Sequence, residues 1–269
     1  MRICLGATTC RVGRWEENMD NCCGLISKAA KKKADMVVFP EMNLTGYAPS
    51  SRIADFARAI DTLVIKQFQD MSDQLNLTIL AGLAEKADIS GKTFASHLVF
   101  IPGTPHAKYS KIHIPPSEQG IFTPGCRIPV FSHAGITFGI QLCYDAHFPE
   151  LSTAMAIQGV DLIVLPHASP RGTPPEKQRS WMRHLPARAF DNGIFIAAVN
   201  QAGNNGAGLH FPGLSLVIGP DGNLVSRSMA QKNHLHVVDL DPAQLNHVRS
   251  HRMRYFLPFR RNDLFPVTF

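Results

Sequence analysis

The sequence has little of what marks membrane, secreted or metal-binding proteins. No apolar run approaches membrane-spanning length, and the chain begins in an alternating strand pattern without a charged leader and apolar stretch. The six cysteines have no metal-ligand spacing, and the adjacent Cys22 and Cys23 suit a disulfide framework poorly. We therefore expect reduced thiols, no membrane partner and residence in the cytoplasm.

Signals for a bound cofactor are also missing. No glycine-rich phosphate loop follows the first predicted strand, and Gly203, Gly206 and Gly208 belong to a turn-rich loop. The twelve histidines include no His-Glu-x-x-His motif. His234 and His236 alternate with apolar residues along a strand and are expected at the surface. The sequence predicts neither a cofactor nor a metal.

What is present suits one large α/β domain. The 269 residues are 45% hydrophobic and 18% charged, which provides a sizeable core, and we expect a single domain over residues 1–269. The net charge is +6, but the basic residues are mostly scattered. The dense basic run at 249–261 contains three aromatic residues. It is expected to pack its aromatics and pair its arginines within a C-terminal arm from about 242, so no nucleic-acid partner is predicted.

The order of predicted elements favours two mixed sheets. Asp35 precedes an apolar run that ends at Pro40, and Asp161 precedes a similar run that ends at Pro166, so two related β-α-β units are expected to face each other. Helical spacing covers 15–33, 53–75, 148–158 and 176–191, and hairpins join several of the remaining strands. This mixture predicts a four-layer α-β-β-α sandwich of two mixed sheets.

Three residues with suitable chemistry follow the ends of apolar strands. They are Glu41, Lys111 and Cys143. A thiol attacks an amide carbonyl when a base such as a carboxylate is in reach, and an ammonium can stabilise the developing oxyanion. Taken alone, each has a plainer interpretation, because a buried cysteine is usually a small hydrophobe and a Glu–Lys pair is often structural.

A cysteine–histidine pair is an alternative use of the thiol. Cys143 could act with His113, His147 or His167, as in cysteine proteases. That arrangement leaves the carboxylate and the lysine without a role.

Three motifs in register resemble the nitrilase, or carbon-nitrogen hydrolase, superfamily. The segments at 39–47 (FPEMNLTGY), 109–113 (YSKIH) and 139–150 (GIQLCYDAHFPE) resemble its glutamate, lysine and cysteine signatures. The likeness continues to Leu264 and covers nearly the whole chain. It implies an α-β-β-α sandwich, a homodimer or higher homo-oligomer, and no cofactor.

The resemblance also implies roles for the residues in these motifs. Glu41 would be the general base, Lys111 would stabilise the oxyanion, and Cys143 would form a thioester. The backbone N–H of Tyr144 would be a further oxyanion donor. Glu118 matches a second glutamate that orients the lysine and substrate, although Pro115 and Pro116 before it depart from the usual sequence.

The implied reaction is hydrolysis of a small amide or N-carbamoyl compound. Tyr144 and Asp145 after the cysteine resemble amidase and carbamoylase branches more than true nitrilases. Nitrile hydrolysis, acyl transfer to an amine and a noncatalytic binding or scaffold role are the alternatives. His147, His167 and Ser169 are candidates for the substrate pocket, with structural loop residues as the other interpretation.

Overall fold

A computed structural model describes residues 1–48, 50–87, 90–230 and 232–266 of the protein. The strands in chain order are β1 (Arg2–Ala7), β2 (Met36–Val38), β3 (Thr78–Lys86), β4 (Thr93–Phe100), β5 (Ala107–Ser110), β6 (Val130–His133), β7 (Ile136–Ile140), β8 (Leu162–His167), β9 (Phe195–Asn200), β10 (Ala202–Asn204), β11 (His210–Pro212), β12 (Leu214–Ile218), β13 (Leu224–Met229) and β14 (His234–Asp239).

Six α-helices accompany the strands in these residues. They are α1 (Trp15–Lys31), α2 (Thr62–Leu75), α3 (Pro149–Ile157), α4 (Pro174–Trp181), α5 (Leu185–Asn192) and α6 (Pro242–Arg249). Within the described ranges, none of these helices has the length and apolar character needed to span a bilayer.

Twelve of these strands form two six-stranded mixed sheets of matching design, and β10 pairs with β11 in a separate antiparallel pair. The first has the order β14-β1-β2-β3-β4-β5 and the second has the order β13-β12-β9-β8-β7-β6. In each sheet three successive strands are parallel, β1 to β3 in one and β7 to β9 in the other, and antiparallel strands flank them. The two related β-α-β units predicted from the sequence are confirmed.

The layers follow from which face of each strand is apolar. Ile3 and Leu5 of β1 point into a core that also contains Phe138 and Val164 of the second sheet. Cys4, between them, points the other way, into a cluster formed with helices α1 and α2. Helices α3 and α5 cover the outer face of the second sheet. The predicted four-layer α-β-β-α sandwich is confirmed.

Two predicted helices were wrong in their extent. The helix expected over 176–191 is two helices, because Pro186 lacks an N–H and its ring would clash with the backbone carbonyl of Met182 in a continuous helix. The helix expected over 53–75 begins only at Thr62, where Asp61 caps it by accepting from Leu63 N. A 3₁₀ turn, Ser50–Phe56, precedes it.

The expectation for His236 was also wrong. This histidine is 7% exposed, and its two ring nitrogens lie 3.0 Å from Ser215 Oγ and 2.8 Å from Ser226 Oγ. Both hydroxyls belong to strands of the second sheet, whereas His236 is in β14 at the edge of the first. The side chain therefore joins the two sheets instead of facing solvent.

The C-terminal arm only partly follows the prediction. The guanidinium of Arg249, at the end of α6, bonds to Asp161 Oδ1 and to two backbone carbonyls, which ties the arm to the second sheet. The predicted arginine pairing is therefore confirmed for Arg249, and also for Arg261, whose guanidinium donates to both carboxylate oxygens of Asp263. The aromatics are less buried than expected, since Phe256 and Phe259 are 43% and 61% exposed.

Candidate active site

The loop that bears Glu41 is held along β3 by two of its own side chains. Asn43 Oδ1 accepts from Gly82 N at 2.7 Å, and Thr45 Oγ1 accepts from Ala84 N at 3.0 Å. These bonds occupy backbone donors of β3 beyond the end of the short strand β2. The loop therefore runs beside β3 where β2 would continue, without being a strand itself. They fix the position of Glu41, which is 1% exposed.

Lys111 lies at the same end of the first sheet as Glu41. Strand β5 is antiparallel to β4, which is antiparallel to β3, so β5 points in the same direction as the strand before Glu41. Lys111 directly follows β5, and its Nζ donates to Glu41 Oε1 at 2.9 Å and to Glu118 Oε2 at 3.1 Å. Tyr47 OH donates to the other oxygen of Glu118 at 2.8 Å. Two carboxylates therefore share one buried ammonium.

Burial and neighbouring charges set the proton affinities of this cluster. Burial and the nearby Glu118 raise the pKa of Glu41, Lys111 lowers it, and the net result is a pKa of about 7. For Lys111, burial alone lowers the pKa, but the two glutamates outweigh it and hold the pKa above its ordinary value. The lysine therefore stays charged, while Glu41 can take up and release a proton near neutral pH.

Cys143 lies in a tight turn after β7 in the second sheet. Its φ is +43°, in the left-handed region that costs a non-glycine residue roughly 1–2 kcal/mol. It begins a 3₁₀ turn, Cys143–His147, which leads into α3. This geometry exposes part of the cysteine, whereas Cys4, Cys10 and Cys22 are buried.

Asp145 holds this turn in place through four hydrogen bonds. Its Oδ2 accepts from Leu142 N at 3.0 Å and from Tyr109 OH at 2.7 Å, and its Oδ1 accepts from His113 N at 2.8 Å and lies 2.9 Å from His113 Nδ1. Asp145 is fully buried. One carboxylate thus joins the cysteine turn to the residues on either side of Lys111.

The electrostatic surroundings keep the Cys143 thiol neutral at rest. Burial raises its pKa to about 12, Glu41 raises it as well, and Lys111 acts in the opposite direction. A thiol of this kind becomes a nucleophile only when a base removes its proton. The carboxylate of Glu41, whose pKa burial raises toward neutrality, is a nearby group that can accept a proton.

Glu41, Lys111 and Cys143 line one cavity of about 760 Å³, which we call the central cavity. Its wall also contains Glu118 and Tyr144. The remaining lining residues are Tyr47, Pro115, Ser117, His147, Ala168, Ser169, Pro170, Arg171, Gly208, Leu209 and His210. The structure therefore brings together the five catalytic and supporting residues predicted from the sequence.

The three pocket candidates have different positions. His147 and Ser169 lie on the wall of the central cavity. His167 is 3% exposed, its Nδ1 lies 2.7 Å from Leu165 O, and its ring packs 4.4 Å from that of Trp181. Burial lowers the pKa of His167 to about 3, so it is a neutral core histidine behind the wall.

Several residues that shape the site were not among the predicted ones. Tyr47 ends the first motif, so the motif itself contained the signal for it. Asn200 Oδ1 accepts from Ser169 N and its Nδ2 donates to Ser169 O, both at 2.9 Å. Lys177 Nζ donates to Ser169 Oγ at 2.5 Å. Nothing in the local sequence distinguishes Lys177 from an exposed helical lysine.

Acidic and thiol groups of the site are arranged around an ammonium. Across residues 1–48, 50–87, 90–230 and 232–266, no group of three or more His, Cys, Asp or Glu side chains is arranged to hold a metal ion. Glu41, Glu118 and Cys143 surround the ammonium of Lys111.

Relatives of known activity resemble the chain over most of its length. It is 29% identical over 215 residues to an (R)-stereoselective amidase from Pseudomonas sp, which covers 80% of this chain and 76% of the relative. It is 27% identical over 264 residues to an ω-amidase from Xenopus tropicalis, covering 93% of this chain and 92% of the relative.

The fold and the family agree with these relatives. A crystal structure of an amidase from Nesterenkonia sp. matches with a TM-score of 0.81 and 26% identity, over 98% of this chain and 95% of that one. A variant of that amidase shows covalent addition of the acetamide moiety of fluoroacetamide at its active-site cysteine. Residues 6–250 match the family described as carbon-nitrogen hydrolase. The chain therefore belongs to the carbon-nitrogen hydrolase family of the nitrilase superfamily.

Proposed function

We propose that the protein is an amidase, which hydrolyses the carbon-nitrogen bond of small linear amides through a thioester on Cys143. The observation that supports this most directly is the shared cavity: a buried Glu41–Lys111 ion pair opens onto the same space as a cysteine held in a left-handed turn. The amidase activity of several relatives supports the same reaction class.

The first half of the reaction transfers the acyl group to sulfur. Glu41 takes the proton from the Cys143 thiol, and the thiolate attacks the amide carbonyl. Lys111 stabilises the negative charge on the tetrahedral oxygen, together with the backbone N–H of Tyr144. Glu41 then delivers its proton to the nitrogen, the carbon-nitrogen bond breaks, and ammonia or an amine leaves. Glu118 keeps Lys111 in position through its hydrogen bond.

The second half releases the acid. Water enters, Glu41 accepts one of its protons, and the resulting hydroxide attacks the thioester carbonyl. The carbon-sulfur bond breaks, and the proton held by Glu41 returns to the thiolate. Glu41 is assigned as the base because it lines the same cavity as Cys143 and burial raises its pKa toward neutrality, whereas Lys111 stays protonated and has no proton-accepting form near neutral pH.

Butyramide and fluoroacetamide provide the test. We expect the wild-type protein to release ammonia from butyramide. We also expect it to gain, by intact mass, a covalent adduct from fluoroacetamide, in which the Cys143 thiolate displaces fluoride and the acetamide moiety stays on sulfur. Cys143→Ala and Cys143→Ser should do neither. Cys126→Ser is the matched control, because Cys126 is exposed and outside the central cavity, and it should behave like the wild type. Turnover by a folded Cys143→Ala variant would overturn the mechanism.

The same assay separates amides from the other substrate classes. N-carbamoyl compounds and nitriles are tested beside the amides, with ammonia release as the common signal. Activity confined to nitriles would replace the amidase assignment. Adding an amine to the butyramide reaction tests acyl transfer, because a transferase forms an N-substituted amide in place of the free acid.

We further propose that the chain forms a homodimer or larger homo-oligomer. Large apolar side chains near the C-terminus lie exposed on the single chain, from 43% for Phe256 to 76% for Met253. Covering such surface stabilises association. Light scattering on the purified protein measures the state, and a mass of 29.6 kDa would exclude association. Residence in the cytoplasm and a single domain over the whole chain stay predictions.

A further inference from the structure

Lys177 is a second buried lysine near the reaction centre. It is 7% exposed, and its Nζ donates to Ser169 Oγ. In the parts of the chain that the structure describes, no carboxylate lies within ion-pair distance of this ammonium. Lys111, by contrast, contacts two carboxylates.

A buried ammonium without an anion is unfavourable. Removing the charge from water costs free energy that only an opposite charge and hydrogen bonds recover. The pKa of Lys177 reflects this cost, because burial lowers it from its ordinary value. A negative group that arrives with the substrate would supply the missing compensation.

The hydroxyl of Ser169 connects the Lys177 ammonium to the central cavity. An ammonium has three donors and no acceptor, so Ser169 Oγ must accept from Lys177, and its own proton remains available for another acceptor. Asn200 holds the backbone of Ser169 on both sides. Ser169 lines the cavity, and the charge of Lys177 also acts on the Cys143 thiol, lowering its pKa.

The charge balance of the cavity wall points the same way. Its two carboxylates, Glu41 and Glu118, are both bonded to Lys111. Arg171, two residues after Ser169, adds an exposed guanidinium at the mouth. Among the residues that the structure describes, no acid lines the side of the cavity formed by Ser169 and Arg171, so this side is positive.

We propose that the preferred substrates are amides that bear a carboxylate, and that Ser169 and Lys177 bind this carboxylate while Arg171 attracts it at the mouth. The inference rests on the proposed amidase function and names its substrate class. The substrate carboxylate accepts a hydrogen bond from the Ser169 hydroxyl, and its negative charge compensates the positive charge of Lys177.

Two amides with a four-carbon backbone test the proposal. Succinamate carries a carboxylate and butyramide does not. We expect the wild-type protein to have the higher kcat/KM for succinamate. In Lys177→Met the ratio of the two kcat/KM values should fall roughly tenfold or more, mainly through KM for succinamate, because a charged hydrogen-bonding partner is lost. Lys177→Arg should restore part of the preference.

Arg179→Met is the matched control. It removes one positive charge from an exposed position of the same helix and should leave the ratio unchanged. Ser169→Ala should lower the ratio as Lys177→Met does, and it serves if the lysine variant does not fold. A ratio that stays the same in Ser169→Ala and in folded Lys177→Met would overturn the proposal, as would a wild-type preference for butyramide.

Binding to an inactive variant separates this proposal from the amidase function. Succinamate should bind Cys143→Ala in calorimetry more tightly than butyramide, and the added Lys177→Met change should remove the difference. If no amide is hydrolysed but this difference is found, the substrate class stands and the reaction fails. If butyramide is hydrolysed and the two amides bind Cys143→Ala equally, the reaction stands and the substrate class fails.

Discussion

Replacing Asp145 by alanine should destabilise the protein and disable its cysteine. The carboxylate accepts from Leu142 N and Tyr109 OH, both in fully buried surroundings, and from His113 twice. Alanine leaves the two buried donors without a partner. Each such donor costs about 1–3 kcal/mol, so the free energy of unfolding should fall by roughly 2–6 kcal/mol.

Thermal unfolding followed by circular dichroism measures this loss. For a protein of this size, 1 kcal/mol corresponds to roughly 2–4 °C in Tm, so a fall of roughly 4–24 °C is expected. Asp241→Ala is the control, since Asp241 is an exposed helix cap whose Oδ1 accepts from Ala243 N. Its loss should cost about 0.5–2 kcal/mol.

Activity gives the second readout for Asp145. Below the melting temperature of the variant, kcat for butyramide should fall, because the left-handed turn at Cys143 is no longer anchored to Tyr109 and His113. Asp145→Asn retains one acceptor oxygen and should lie between wild type and alanine in both measurements. An Asp145→Ala variant that melts within about 2 °C of wild type would refute the reasoning.

Other predictions concern the base, the oxyanion donor and close packing. Because Glu41 acts unprotonated and its pKa is about 7, kcat/KM should fall as pH drops through 7 and level off above it, and a flat profile between pH 5 and 9 would contradict this. Lys111→Met should lower kcat roughly 10²–10³-fold, because the oxyanion loses its charged donor. It should also move the fall of kcat/KM to higher pH, since Glu41 without its cation has a higher pKa. Ammonia release measured across this pH range checks both effects, and an unchanged rate would exclude the role of Lys111 as oxyanion donor. Gly82→Ala should cost about 1–3 kcal/mol by denaturant unfolding, because its Cβ would lie 2.7 Å from His97 Nδ1. Gly24→Ala, on the exposed face of α1, adds a Cβ that would have no atom of the described residues within 4 Å. It should stabilise by about 0.5–1 kcal/mol, and equal effects of the two glycine substitutions would refute the packing argument.

The local pattern of the sequence determined the strands and the reactive residues at their ends. Continuous apolar runs need burial on both faces, so β2, which precedes Glu41, and β8 could be placed without coordinates. The strand before Cys143 was placed as the second strand of a hairpin. The motifs resembling the family then related Glu41, Lys111 and Cys143 to one another. Helix boundaries were less well determined, because Pro186 and the Asp61 cap compete with a helical pattern that continues past them.

Only the tertiary structure decided how these groups influence each other. The pKa of Glu41 depends on its burial and on Lys111 and Glu118, which are distant in sequence and meet only when the sheet forms. The burial and charge state of Lys177 and of His167 likewise depend on the packed structure. A pattern of residue types does not show that one is a buried lysine beside Ser169 and the other a core histidine against Trp181, because burial and charge pairing are properties of the packed chain.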